Sequence, residues 1–285
     1  MTDPARDGAP GDAAIAATGD AAGFAALLAK IAREREFVCH SYKEKCLRRR
    51  IAVRLRAKGV ATYDDYARLL ESDPREYDTL LDTLTINVTK FFRNWDAFSA
   101  LSRTVVPSLW ALPADALNIW SAGCASGEEA YSLAALFHAH ATEQHDTARL
   151  SRVRVVGTDI DRESLVAANR GTYPEVAFAD TPRALRDEYF SHGAPADVDH
   201  RLRALVRFAR HDLIREPALS GQHLIACRNV IIYFDRTAQE SLFARFHEAL
   251  VPGGFLVLGK VETLLGPTRN LFAPVDARER IFRRV

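Results

Sequence analysis

Residues 121–132 read SAGCASGEEAYS, preceded by the apolar run LNIW (117–120) and followed by LAALFHAH (133–140). A strand, a loop of small residues and a helix together form the unit from which parallel α/β sheets are built. Such a loop ordinarily seats a phosphate at the helix N-terminus, where unpaired N–H groups and the positive dipole end attract anions. Here the helix opens with Glu128 and Glu129, two carboxylates that repel phosphate. The loop therefore asks for a ligand that approaches closely and presents positive charge to its mouth.

Outward from this stretch the same texture repeats. Apolar runs at LNIWSA (117–122), VRVVGTDI (153–160), LVRFARHD (205–212), HLIACRNV (223–230) and FLVLGK (255–260) read as strands. Helical patterns at 127–140, 162–170 and 236–250 alternate with them, which predicts βαβ units, a mainly parallel sheet and helices on both faces. The closing RIFRRV (280–285) reads as a final edge strand. Residues 174–205 are longer and less regular than one crossover needs, so a small insertion is expected at about 180–208. Upstream, FAALLAKIARERE, YKEKCLRRRIAVRLRAKG, TYDDYARLLES and PREYDTLLDTLT read as four helices, with Gly59 closing the second, Thr62 capping the third and Pro74 in the first turn of the fourth. The expected organisation is a flexible tail at 1–23, an all-helical domain with its linker at 24–100 and an α/β domain at 101–285.

Composition excludes several classes. With 48% hydrophobic residues, 26% charged residues and a net charge of +1, the 285-residue chain is an ordinary globular sequence, and its charge argues for neither a nucleic-acid binder nor a membrane-surface protein. Cys39, Cys46, Cys124 and Cys227 are scattered without metal-ligand spacing, which fits reduced cytoplasmic thiols better than disulfides or zinc. No apolar run approaches the ~20 residues needed to span a bilayer. The N-terminal stretch has acids where a secretory signal would be basic, so cytoplasmic location is expected.

In a doubly wound sheet, ligands bind beyond the carboxyl ends of the strands. Three such ends are polar: GCASGEE (123–129), TDID (158–161) and CRN (227–229). Asp159 is placed either to accept from a ribose diol or to cap the next helix. With only Gly123 and Gly127 in the first loop, the Gly-x-Gly-x-x-Gly of a dinucleotide site is missing. S-adenosyl-L-methionine suits the loop better, having a ribose and adenine, no phosphate and an α-ammonium. Glu128 would take the ammonium, Gly123 would let the backbone approach, and Asp159 would take the ribose. The helix end, Pro-Gly-Gly turn and strand of ALVPGGFLVLG (249–259) recur in methyltransferases that use this cofactor.

The segment TINVTKFFRN (85–94) resembles the chemotaxis receptor methyltransferases, the CheR family, which join a small helical domain to a methyltransferase domain through Asn-x-Thr-x-Phe-Phe-Arg. The resemblance continues through WSAGCASGEEAYSLA, GTDIDRESLVAANRGTYP, FARHDLI and CRNVIIYFDRTAQESLFARFHEALVPGGFLVLG, from about residue 37 to 265. It implies an α/β, Rossmann-like, mainly parallel sheet with a small all-α N-terminal domain and a small β insertion. It also implies that Asn87, Thr89, Arg93, Ala122, Glu128, Asp159, Asp212, Leu213, Cys227 and Arg228 contact the cofactor, and that Tyr233 is functional. Phe91 and Phe92 are expected to pack between domains. Two departures stand out. Lys260, Val261 and Glu262 replace the frequent His-Ser-Glu, so no function is carried onto them; His223 replaces an acid and is read as structural.

The family transfers methyl groups to glutamate carboxylates on chemoreceptor cytoplasmic helices, leaving S-adenosyl-L-homocysteine. Such a carboxylate is ionised at neutral pH, so no general base is needed and positioning is the main device. Arg93 is the candidate for steering the carboxylate, with Tyr233 beside it. On the second helix Leu47, Ile51 and Leu55 form a buried stripe, while Lys45, Arg49 and Arg56 fall on the opposite side. A solvated face or a phosphate-binding cluster are the alternatives there; the resemblance favours docking of an acidic receptor helix. The expected partner is a receptor cytoplasmic domain, with no nucleic acid, no membrane insertion, no metal and a monomeric state. A non-catalytic S-adenosylmethionine-binding module and a small-molecule methyltransferase are the rival readings.

Overall fold

The computed structural model describes residues 20–35, 37–84 and 89–285, and the chain divides into two compact units, Met1–Ile86 and Asn87–Val285.

Among the described residues the first unit contains four α-helices, α1 (Ala21–Arg35), α2 (Glu44–Lys58), α3 (Tyr63–Ser72) and α4 (Pro74–Leu84). Each presents one apolar stripe: Phe24, Leu27 and Ile31 on α1; Leu47, Ile51 and Leu55 on α2; Tyr63, Tyr66 and Leu70 on α3; Tyr77, Leu80 and Leu84 on α4. Gly59 ends α2 in the left-handed region (φ 65°), and the Thr62 hydroxyl accepts from the Asp65 N–H at 3.1 Å to start α3. Inside the bundle Glu76 is buried. It accepts from the Arg54 guanidinium at 2.9 and 2.6 Å and from the Tyr66 hydroxyl at 2.6 Å.

In the second unit, α5 (Trp95–Ala100) and α6 (Val106–Trp110) lead into β1 (Leu117–Ala122) and α7 (Glu128–Glu143). There follow β2 (Val153–Asp159), α8 (Arg162–Arg170), β3 (Thr172–Tyr173), α9 (Arg183–Tyr189), β4 (Ala196–Asp197), α10 (His200–Leu205) and β5 (Val206–Arg210). The chain continues through β6 (Gln222–Cys227), α11 (Arg236–Ala249), β7 (Leu250–Leu258), β8 (Phe272–Asp276) and β9 (Ile281–Arg284). Seven strands form one sheet in the order β5-β2-β1-β6-β7-β9-β8. The first five are parallel, whereas β9 runs antiparallel to both β7 and β8. RIFRRV is therefore not the edge. The run Phe272–Asp276, short and interrupted by Pro274, pairs outside it and takes that place.

Strand direction and order set the site. The chain leaves β1 toward β2 on one side, while β6 lies on the other, so the sheet reverses its winding between β1 and β6, and the loops beyond that edge diverge to leave a crevice. A two-stranded antiparallel pair joins β3, which precedes the expected insertion, to β4, which lies within it, with Tyr173 facing Ala196. Phe91 and Phe92 are core residues of this second unit; Phe91 stacks on Phe178 with ring centroids 4.9 Å apart.

Candidate active site

The loop after β1 is built by sterics before any ligand is considered. Gly123 (φ 81°), Ala125 (φ 47°) and Gly127 (φ 94°) all adopt left-handed backbone. The N–H groups of Gly123 and Cys124 both donate to the Thr158 carbonyl, at 2.8 and 2.9 Å. A Cβ on Gly123 would lie 2.5 Å from Val230 Cγ2, so that glycine admits a neighbouring side chain of the protein itself; close approach to a ligand is not what excludes its Cβ.

Asp159, at the end of β2, is 9% exposed. Its Oδ2 accepts from the Ala125 N–H at 2.8 Å and its Oδ1 from the Asp161 N–H at 3.0 Å. The cap of α8 is Asp161, which accepts from the N–H groups of Glu163 and Ser164. Asp159 thus ties the first loop to the second, and with two of about four acceptor positions used it retains capacity for a diol. Burial pushes its carboxyl up against the opposing pull of those backbone N–H groups.

Glu128 is 4% exposed, and its carboxylate accepts from the Ser126 hydroxyl at 2.8 Å. No cation pairs with it among the described residues. Burial pushes its carboxyl up to about 7, opposed only by its own backbone N–H and Ser126. It shares a cavity of about 330 Å³ with Thr89, Lys90, Ser126, Tyr173, Pro174 and Val176. A buried carboxylate without a counter-ion, facing a cavity, is the acceptor an α-ammonium requires, so these residues fit S-adenosylmethionine. Glu129 turns elsewhere, accepting from the Ser121 hydroxyl at 2.8 Å and facing Arg228 at 3.4 Å.

On the β5 side, Asp212 Oδ1 accepts from the N–H groups of Ile214 and Arg215 at 2.8 and 3.2 Å, forming a tight turn. Leu213 is buried, and its carbonyl accepts from Arg245 at 2.6 Å. Ala122 and Cys227, at the ends of β1 and β6, have no exposed surface, so only a rearrangement would bring their side chains to a ligand. Asn87 lies outside the described residues.

Arg93 sits between Phe92 (φ 51°) and Asn94 (φ 60°), two non-glycine residues in left-handed conformation. Asparagine tolerates such backbone, but at Phe92 it costs on the order of 1–3 kcal/mol and persists only where the surroundings impose it. Here they do. Phe91 N–H donates to the Ala177 carbonyl (2.9 Å), Phe92 N–H to Ser132 Oγ (2.9 Å) and Asn94 N–H to Asp180 Oδ2 (3.2 Å). The Arg93 carbonyl accepts from Arg228 at 2.8 Å.

Arg228 is buried, with its guanidinium 5.0 Å from the Phe98 ring centroid and engaged by Glu129 and the Arg93 carbonyl. Its side chain holds the Arg93 turn and faces protein groups, which differs from a direct contact to the cofactor. Tyr233 is half-buried at the end of the short 3₁₀ turn Ile231–Tyr233 that follows. His223 lies at the other end of β6, where Nδ1 accepts from the Asn118 N–H at 3.2 Å.

In the first unit, Lys45, Arg49 and Arg56 are exposed and form no ion pair among the described residues; Val53, 45% exposed, shares their helix face. The neighbouring cations are committed: Arg48 to Glu44, Arg54 and Lys58 to Glu76, and buried Arg50 to the Leu84 carbonyl.

Sequence reasoning passed over Ser132 and Asp180, read Glu129 only as a charge at the helix start and gave Glu262 no function, yet each of the four orders the site through the contacts of its carboxylate or hydroxyl. A signal existed for Glu262: it retains the acid of the family's His-Ser-Glu although its two neighbours differ.

Residues 87–281 match the family model described as CheR methyltransferase, SAM binding domain, and residues 22–85 the model described as CheR methyltransferase, all-alpha domain. The chain is similar to "Putative methyltransferase Cher3" of Pseudomonas putida, 34% identical over 254 residues that cover 86% of this chain and 90% of that protein. It is 33% identical over 227 residues to a "Chemotaxis protein methyltransferase" of Listeria monocytogenes, covering 79% of this chain and 84% of the relative. It is also 35% identical over 245 residues to an uncharacterized 104.1 kDa protein of Rhodobacter capsulatus, covering 85% of this chain. The chain spans only 25% of the length of that last relative.

Proposed function

Because the chain belongs to the CheR methyltransferase family, we propose that it esterifies glutamate side chains on chemoreceptor cytoplasmic helices, using S-adenosylmethionine as methyl donor. The observation that carries this reading is the arginine held between two left-handed residues at the carboxyl edge of the sheet, with its turn tied down from Ser132, Ala177, Asp180 and Arg228.

When bound, S-adenosylmethionine supplies a methyl group already activated by a sulfonium. The accepting carboxylate is ionised near neutral pH, so the protein removes no proton and its work is orientation. Arg93 directs the carboxylate through its planar fork, without holding it so tightly that its lone pairs are withdrawn from the reaction. Tyr233 stands at the same mouth, on the loop that Arg228 ties to the Arg93 turn. Glu128 neutralises the α-ammonium, Asp159 accepts from the ribose diol, and Thr89 lines the ammonium side of the cavity. Asn87, Asp212 and Leu213, with the backbone at Ala122 and Cys227, complete the cofactor contacts; Arg228 acts from behind.

The exposed stripe of Lys45, Arg49 and Arg56 meets the acidic face of the receptor helix. The enzyme works in the cytoplasm as a monomer, on receptors whose methylated region is also cytoplasmic. Incubation with methyl-labelled S-adenosylmethionine and receptor-bearing membranes tests the reading. Base-labile label on a receptor band is the expected result; label confined to small molecules, or none on receptor, overturns it.

A further inference from the structure

We infer that Glu262 is a positioning residue for methyl transfer: it holds the 229–233 turn in place and, through Arg228, the turn that presents Arg93. The inference rests on the functional reading above and adds a residue to which that reading gives no role.

The geometry is that of a carboxylate seated in a nest of backbone donors. Glu262 is 3% exposed. Its Oε2 accepts from the N–H groups of Gly259 at 2.6 Å and Asn229 at 2.9 Å, and its Oε1 accepts from Ile232 N–H at 3.3 Å. Asn229 is in left-handed conformation at φ 62°, which asparagine tolerates and which turns its N–H toward Glu262. The fit leaves no room for variation at the other donor. A Cβ on Gly259 would lie 2.8 Å from Glu262 Oε2 and 2.9 Å from the Asn229 nitrogen.

The turn so held carries functional groups at both ends. Tyr233 follows directly on Ile232. Arg228 precedes Asn229, and its guanidinium crosses to the Arg93 carbonyl at 2.8 Å and to Glu129 at 3.4 Å, beside the Phe98 ring. Glu262 touches neither Arg93 nor Tyr233 through any of these bonds; it sets the loop from which both are placed. A carboxylate is required because the three donors converge on two oxygens. A glutamine would offer one oxygen and turn an N–H₂ group toward N–H donors.

The test compares Glu262→Gln, Glu262→Asp and Arg228→Lys, followed by amide hydrogen exchange, calorimetric binding of S-adenosylhomocysteine and receptor methylation. In Glu262→Gln, exchange should rise about tenfold or more both at 229–233 and at 91–94, while strand amides of β1 and β2 stay protected. Arg228→Lys should loosen 91–94 and leave 229–233 protected, because it removes only the later link. Turnover of Glu262→Gln should fall about tenfold with S-adenosylhomocysteine affinity within about threefold of wild type. Glu262→Asp, keeping the charge on a shorter arm, should lie between.

Unchanged exchange at 91–94 in Glu262→Gln, or loosening of both turns in Arg228→Lys, overturns the inference. So does normal turnover of Glu262→Gln where wild type is active. If Glu262→Gln does not fold, the Arg228→Lys and Glu262→Asp patterns decide. A wild-type protein that methylates no receptor refutes the functional reading alone, since the exchange pattern still judges Glu262.

Discussion

Protonation of Glu128 should control cofactor affinity. In the free protein burial raises this carboxyl to about 7, and no cation beside it pulls it back. An ammonium in the cavity binds the ionised form, so binding below neutrality must expel a proton. Between pH 7 and pH 6 the ionised fraction falls from one half to about a tenth, so affinity for S-adenosylhomocysteine should drop about fivefold. Over that range the ligand's own α-amine, which titrates above neutrality, stays mostly protonated and contributes little to the trend. Calorimetry at constant ionic strength, repeated in buffers of different ionisation enthalpy, counts the protons directly. At pH 6 nearly one proton should leave per ligand bound, and Glu128→Gln should bind more weakly with neither proton release nor pH slope. The free protein provides the opposite sign. A carboxyl raised on folding stabilises most below its unfolded value near ~4.3, and that contribution fades as pH rises through about 7. Ligand should therefore raise the melting temperature more at pH 7.5 than at pH 6. A flat affinity profile from pH 7 to 6, or the same slope in Glu128→Gln, would refute the assignment of the ammonium to Glu128.

Arg93→Lys should keep cofactor affinity yet lose about tenfold or more in methyl transfer, because an ammonium lacks the planar fork; near-normal turnover in Arg93→Ala would remove Arg93 from carboxylate positioning. Asp159→Ala should weaken S-adenosylhomocysteine binding by roughly 1–3 kcal/mol, losing the diol contact and the clasp on Ala125 together, and calorimetry showing wild-type affinity would take it out of the site. Replacing Lys45, Arg49 and Arg56 together with Ala should lower receptor methylation without changing cofactor affinity, and salt should slow the wild-type reaction as screening shortens exposed charges' reach to ~8–10 Å; normal receptor methylation by the triple variant would place docking elsewhere. Glu76→Gln should destabilise the helical unit by about 2–3 kcal/mol, less than a fully buried pair because Arg54 and Lys58 reach water. Burial alone would raise the Glu76 carboxyl, but Arg54, Tyr66 and Lys58 outweigh it and hold it low. The stability it contributes is thus present at neutral pH and lost as pH falls below the unfolded value near ~4.3, which acid titration of wild type and Glu76→Gln would separate.

Local chemistry was legible along the chain. The helix read over 162–170 is α8 residue for residue, because Asp161 and Gly171 punctuate it and the apolar spacing between them has one period. The alternation of strands and helices after Pro107 was enough to imply a parallel sheet, and the two acids at 128–129 were enough to turn the first loop away from phosphate. What the tertiary structure decided is which groups meet. RIFRRV could be recognised as a strand but not as an inner one, since its neighbours β7 and β8 are chosen by pairing across the sheet. Gly123 was read as a point where the backbone approaches the ligand, yet the group that fills its missing Cβ is Val230, from the loop after β6. Glu128 and Glu129 are adjacent and identical in type; folding leaves one facing a cavity without a counter-ion and gives the other to Arg228. Arg228 reaches a carbonyl 135 residues away, and Glu262 a nest of N–H groups formed by two separate turns. Periodicity and capping are properties of neighbouring residues and are written in order along the chain. The partner of a buried polar side chain is settled only when distant segments have packed and water has been excluded, which no local pattern encodes.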